Sequence, residues 1–179
     1  MYPPFEEATF MSDGERVERL IYDWLERNYP DGPTWYDRAK DGFTPALEIR
    51  MISAFGAVEY NISNGGWAQF LWNCFPHWRE IIADAKEGYL LIGAPEQSAA
   101  LDILSAQCER DEEECAATIR KSIKENDLTN TYFAAFTSRS YSAPASGWED
   151  LFWDKVMYEK RSAWLAANEA RVGAAMGLN

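Results

Sequence analysis

Apolar residues recur along this chain at helical spacing, and no stretch alternates as a half-buried strand would. In the first run Val17, Leu20, Ile21, Trp24 and Leu25 share one face, with Glu15, Glu18 and Glu26 outside it. Ser12 and Glu15, three positions apart, form a capping box that starts this helix. Asn28, Pro30, Gly32 and Pro33 end it in a rigid turn region. Thr44 and Pro45, an N-cap followed by proline at N1, open a second helix. Its Leu47, Ile49, Met51, Ile52, Phe55 and Val58 make so broad an apolar surface that it belongs near the core centre. Residues 61–66 interrupt the pattern, and a short helix restarts near Gly66 with Trp67, Phe70 and Leu71, limited by Pro76.

Residues 78–91 read as a helix with Trp78, Ile81, Ile82 and Ala85 inward, and Gly93 breaks it before Pro95. An alanine-rich helix over 94–108 carries Leu101, Ile103 and Leu104. The ERDEEE run at 109–114 is either a sharp junction or a solvated face of one longer helix, and 115–123 continues helically. Asn126 or Asp127 caps a next turn, 128–136 brings Tyr132, Phe133 and Phe136, and 138–147 is a loop broken by Pro144 and Gly147. The longest helical candidate is 148–170, where Leu151, Phe152, Val156 and Leu165 make no single stripe, so a bend or two served surfaces is expected. The fold class is all-α: one compact domain of roughly seven or eight helices of ordinary length. Residues 1–11 form a lead-in, and 12–179 form the domain around a central helix junction.

Composition fits this reading. A chain of 179 residues suits one continuous core, and 47% hydrophobic with 15% aromatic residues supplies enough apolar surface to exclude a wholly disordered chain. Charge narrows the partners. With 17 Lys plus Arg against 29 Asp plus Glu, the formal net charge is -12. That disfavours direct nucleic-acid binding and an anionic membrane surface, and it attracts a basic protein. The same carboxylates also have a plain reading as solvated helix faces. Cys74, Cys108 and Cys115 have no closely spaced partner ligands, and His77 is the single histidine, so neither a metal site nor a cofactor is expected. Buried free thiols suit a reducing cytoplasm. The N-terminus has no basic region followed by an apolar run, so no signal peptide is expected.

The densest chemistry lies in 59–73, EYNISNGGWAQFLWN. Asn64 can cap a helix, while Gly65 and Gly66 permit positive φ or close packing. Trp67 and Phe70 can share one face, and Gln69 and Asn73 another, where their amides can build a polar network. Glu59 is a candidate acceptor for Asn64 or Gln69. The segment serves as a fold-stabilising junction or as a pocket. It is no phosphate loop, for GxxxxGK[ST] is absent and no strand feeds a GxGxxG.

The set Glu59, Asn64, Gly65, Gly66, Trp67, Gln69, Phe70 and Asn73 resembles the pattern of a bacterial domain family of unknown function, one known member of which is a DNA-mimic protein. Weaker matches follow at 90–94, Ala100, Ile103 and Leu104, and the aromatic-acidic 148–154 resembles the family's terminal portion. Trp67 stands where phenylalanine is common, and the usual tyrosine near Phe70 is replaced. The resemblance implies an all-helical fold and a homodimer. In the mimic, surface carboxylates imitate DNA phosphates and occupy the DNA-binding face of a transcription factor. Here Asp102, Glu109, Asp111, Glu112, Glu113 and Glu114 are candidate partner-binding residues. Further acidic groups are Glu6, Glu7, Asp13, Glu15, Glu18, Asp23 and Glu26, and Glu149, Asp150, Asp154 and Glu159.

The expected function is an acidic, non-enzymatic protein-binding domain, a DNA mimic occupying a basic DNA-binding regulator. An immunity-type inhibitor of a cationic nuclease or toxin shares these electrostatics. A thiol-dependent enzyme would rest on Cys74 and His77, three apart, and a carboxylate pair on Glu59 and Glu80.

Overall fold

The computed structural model describes residues 11–37, 43–127 and 147–178, and every regular element within them is helical. The α-helices are α1 (Asp13–Asn28), α2 (Leu47–Cys74), α3 (Trp78–Leu91), α4 (Pro95–Glu125), α5 (Lys155–Ala167) and α6 (Glu169–Ala175). Short 3-10 turns lie at Thr34–Tyr36 and Glu149–Trp153. This is fewer α-helices among the described residues than the roughly seven or eight expected at ordinary helix length. The reason is fusion: two pairs of expected helices are each one element. The helix expected over 128–136 and the loop after it lie outside the described residues, as does the N-terminal lead-in up to residue 10.

The capping box of α1 forms as its sequence dictates. The Ser12 N–H donates to Glu15 Oε2 (2.7 Å) and the Glu15 N–H to Ser12 Oγ (3.3 Å). This satisfies two donors that a helix start leaves open. α2 starts later than the Thr44-Pro45 signal suggests, with Ala46 at its N-cap. Arg50 Nη1 donates to the Pro45 carbonyl at 3.0 Å, which holds that residue ahead of the helix.

α2 runs for 28 residues through the centre of the core, with Met51, Ile52, Phe55, Val58, Phe70 and Leu71 buried. Each such side chain contributes about 1.5–3 kcal/mol on leaving water. α3 folds back along α2, and the two approach closely at Gly88, where a Cβ would lie 2.6 Å from that of Met51. α4 packs on α2 and α3 for part of its 31 residues. Its inner face descends through Leu101, Leu104, Cys108, Cys115 and Ser122, so the ERDEEE run is a polar face of one long helix. Asn126 closes α4 as a left-handed C-cap, and the turn expected after it lies outside the described residues.

The 148–170 region is divided. Asp154 is extended and N-caps α5 by accepting from the Val156 N–H at 3.0 Å, and Asn168 separates α5 from α6. α5 crosses α1 at Gly14, where a Cβ would sit 2.0 Å from the Ser162 carbonyl oxygen. Ser12 Oγ and Ser162 Oγ lie 3.0 Å apart at the same crossing. Trp24 Nε1 donates to the Met176 carbonyl at 3.0 Å, tying α1 to the end of α6. Among the described residues no helix is long and apolar enough to cross a membrane.

Candidate functional site

The motif segment is a joint inside α2. The helix continues through Asn64 and Gly65, and only Gly66 leaves the helical region, at φ 67° and ψ −162°. Asn64 therefore does not cap a new helix; its Nδ2 donates back to the Tyr60 carbonyl at 2.7 Å. Gly65 is required for space, since a Cβ there would lie 2.8 Å from Gln69 Cβ. Past the kink, Gln69 Nε2 (3.3 Å) and Asn73 Nδ2 (2.7 Å) both donate to Asn61 Oδ1. Asn61 Nδ2 donates to the Ala57 carbonyl at 2.7 Å. Trp67 and Phe70 are buried in the core. The expected amide network exists, but its hub is Asn61, which sequence reasoning passed over. The signal was its place in EYN, two and three turns before Gln69 and Asn73.

Glu59 does not accept from Asn64 or Gln69. It faces α3 and α5 from another side of α2. Its Oε1 accepts from Arg161 Nη1 at 2.8 Å and from the Tyr89 hydroxyl at 2.9 Å. Arg161 Nε lies 3.4 Å from Glu18 Oε2 on α1, and the guanidinium carbon sits 4.8 Å from the Tyr158 ring centroid. One buried guanidinium thus serves two carboxylates on different helices. Burial pushes the Glu59 carboxyl above its ordinary range, and the charge and hydrogen bond of Arg161, with the Tyr89 hydroxyl, oppose this. Glu18 is pushed up by burial too, against the attraction of Arg161. Burial acts to lower the Arg161 pKa, but Glu59 and Glu18 outweigh it and keep the group charged.

Of the pairs considered from sequence, Cys74 and His77 line one cleft of about 250 Å³, whereas Glu59 and Glu80 have separate surroundings. Cys74 is buried, Asn61 Nδ2 lies 3.9 Å from its Sγ, and burial pushes its thiol up to about 12. The His77 ring stacks on Tyr36, with centroids 6.1 Å apart. Glu80 lines a small cleft with Tyr36, Arg50 and Asp84, away from the surroundings of Glu59. Cys108 and Cys115 are also buried, and burial raises both thiols, Cys115 to about 12. A thiol-specific disulfide reagent at pH 7.5 should therefore find almost no reactive thiol in the folded protein, and all three in guanidinium chloride. Fast native labelling of Cys74 would contradict its burial.

The acidic residues gather in two places. Asp102, Glu109, Asp111, Glu112, Glu113 and Glu114 all lie on α4. Two of them are bound across to α3: Asp102 to Lys86, and Glu112 to Arg79 at 2.6 Å. Glu112 also accepts from Trp78 Nε1 at 3.2 Å, and Asp111 accepts from Gln107 Nε2 at 2.6 Å. Glu109 and Glu113 stand exposed, one turn apart. Part of the N-terminal set meets one member of the C-terminal set elsewhere, because α1 packs on α5. Asp13, Glu15, Glu18 and Glu159 line a cleft of about 720 Å³ between those helices. Glu6 and Glu7 lie outside the described residues.

No curated protein and no solved structure matches the chain. The family described as DMP19-like protein matches residues 45–168, a span that contains α2, α3, α4 and α5 but leaves α1 outside. On that match over the greater part of its length, the chain belongs to the DMP19-like protein family.

Proposed function

We propose that this domain is a non-enzymatic binder of a basic protein, and that it acts as a DNA mimic at the DNA-binding face of a regulator. The carrying observation is a formal net charge of -12 for the chain, with Glu109 and Glu113 exposed on α4, a helix packed on α2 and α3. Family membership and the earlier resemblance to a family with a DNA-mimic member support the same reading. On α4 a helical rise of about 1.5 Å per residue puts Asp102 and Glu109 roughly 10.5 Å apart, and Glu109 and Glu113 roughly 6 Å apart. Those axial spacings correspond to about three and about two phosphate steps along one DNA strand, whose axial repeat is about 3.4 Å. A rigid helix presents these charges with little ordering cost on binding.

The test is competition. The immobilised protein should retain a basic DNA-binding protein from bacterial extract at low salt, and an added short duplex should release it. Glu109→Gln/Glu113→Gln should reduce retention roughly threefold to thirtyfold if each rim charge is worth a few tenths to about 1 kcal/mol. A partner that stays bound against excess duplex rules out mimicry while leaving basic-protein binding intact.

A further inference from the structure

The cleft between α1 and α5 differs from a solvated helix face in three ways. It is a groove of about 720 Å³, its walls are partly apolar, and its inner end is a half-buried carboxylate. Gly14 and Ser162 bring the two helices together midway along its lining. Tyr158, Ala163 and Ala166 then line the groove with apolar surface. Asp13 and Glu159 stand exposed at its rim. At the inner end Glu18, with 19% of its side chain exposed, shares the Arg161 guanidinium with Glu59. The cluster therefore carries one carboxylate more than it has cations. The groove's cations are already engaged: Lys155 lies 3.5 Å from Glu159, and Arg161 is held by Glu59 and Glu18.

These features select the occupant by charge complementarity. An anion would meet carboxylates and engaged cations. A small inorganic cation would leave most of the volume and all of the apolar lining unused. An arginine on an extended segment uses both, because its methylene stem covers apolar surface while its planar head takes carboxylate oxygens. We infer that the α1–α5 groove receives an arginine side chain of the basic partner, its stem against Tyr158 and its guanidinium directed at Glu18. The inference rests on the basic-partner reading above and adds where that partner docks. Half of this groove is built by α1, which the family match does not include.

Fluorescein-labelled hexa-arginine is the probe, titrated by anisotropy at low salt against the full chain. Wild type should bind it. Asp13→Asn/Glu159→Gln should weaken binding about fivefold to tenfold, from two rim charges acting together. Ala163→Trp leaves the charge unchanged, fills the groove, and should weaken binding at least as much. Glu87→Gln/Glu96→Gln removes the same charge from exposed positions on α3 and α4 and should change binding less than about twofold, as general attraction does. Equal losses from the two charge-removing pairs, or undiminished binding to Ala163→Trp, overturn the groove while leaving the basic-partner reading in place. No binding of the peptide to wild type sinks both.

Discussion

Replacing Arg161 with methionine is expected to destabilise the fold by about 3–5 kcal/mol at neutral pH, the usual cost of leaving one member of a buried ion pair alone. The cause is what remains. Glu59 would keep the Tyr89 hydroxyl at 2.9 Å but lose the guanidinium that bridges it at 2.8 and 3.0 Å. Glu18 would lose its contact at 3.4 Å, though its partial exposure lets water compensate. The pH dependence follows from the direction of the shift. In the native protein Glu59 already titrates above its ordinary value because burial disfavours the charge. A carboxyl raised on folding contributes stability that is complete below its unfolded pKa and lost as pH rises through the folded one. Without Arg161 the opposing attraction is gone and the folded pKa rises further. The deficit of Arg161→Met should therefore be large at pH 7.5 and shrink toward pH 5. Urea denaturation at the two pH values measures it. Glu59→Gln/Arg161→Met should recover much of the loss, since a neutral amide can still accept from Tyr89. Equal deficits at both pH values would show that packing of the long side chain, not charge, is what Arg161 supplies.

Gly66→Ala is expected to cost about 3 kcal/mol, the upper part of the range for a residue forced into a backbone region that L side chains avoid. Its φ of 67° with ψ −162° is a conformation for glycine, and it lies within α2, so a local escape would move Trp67, Phe70 and Leu71 out of the core. The same movement would separate Gln69 and Asn73 from Asn61 Oδ1. Gly32→Ala is the control. It too has positive φ, 93°, but nothing lies within 4 Å of the added carbon, and about 1 kcal/mol is expected from backbone strain alone. Guanidinium chloride denaturation compares them. A Gly66→Ala loss no larger than that of Gly32→Ala would mean that the kink is not what holds the second half of α2 in register.

What could be read from the sequence was local. The Ser12–Glu15 box needs three residues of chain to specify it, and it formed. Trp78, Ile81, Ile82 and Ala85 mark the inner face of α3, whose bounds are those the spacing predicts. Gly66 announced a break, but the neighbouring Asn64 and Gly65 made the interruption look longer than one residue. The continuity of α4 was harder to see, because past Leu104 its inner face passes through Cys108, Cys115 and Ser122, small or polar residues that give a weak periodic signal. The Glu18–Arg161–Glu59 cluster was illegible. Its guanidinium and Glu59 are 102 residues apart, and charged residues on amphipathic helices read as solvent-facing until the fold is known. The acidic sets were visible as composition, and only packing revealed that Asp13, Glu15, Glu18 and Glu159 share the α1–α5 cleft while the third set occupies α4.

The Ser12–Ser162 contact joins positions 150 residues apart, and α1 lies chiefly on α5. Closing so long a loop carries an entropic cost that grows only slowly with length, but it is recovered only once both ends have a surface to meet. The α2–α3–α4 unit, made of neighbours in the chain, supplies its own contacts early. α1 thus takes its seat late although it comes first among the described helices, because the surface it needs exists only once α5 has been made.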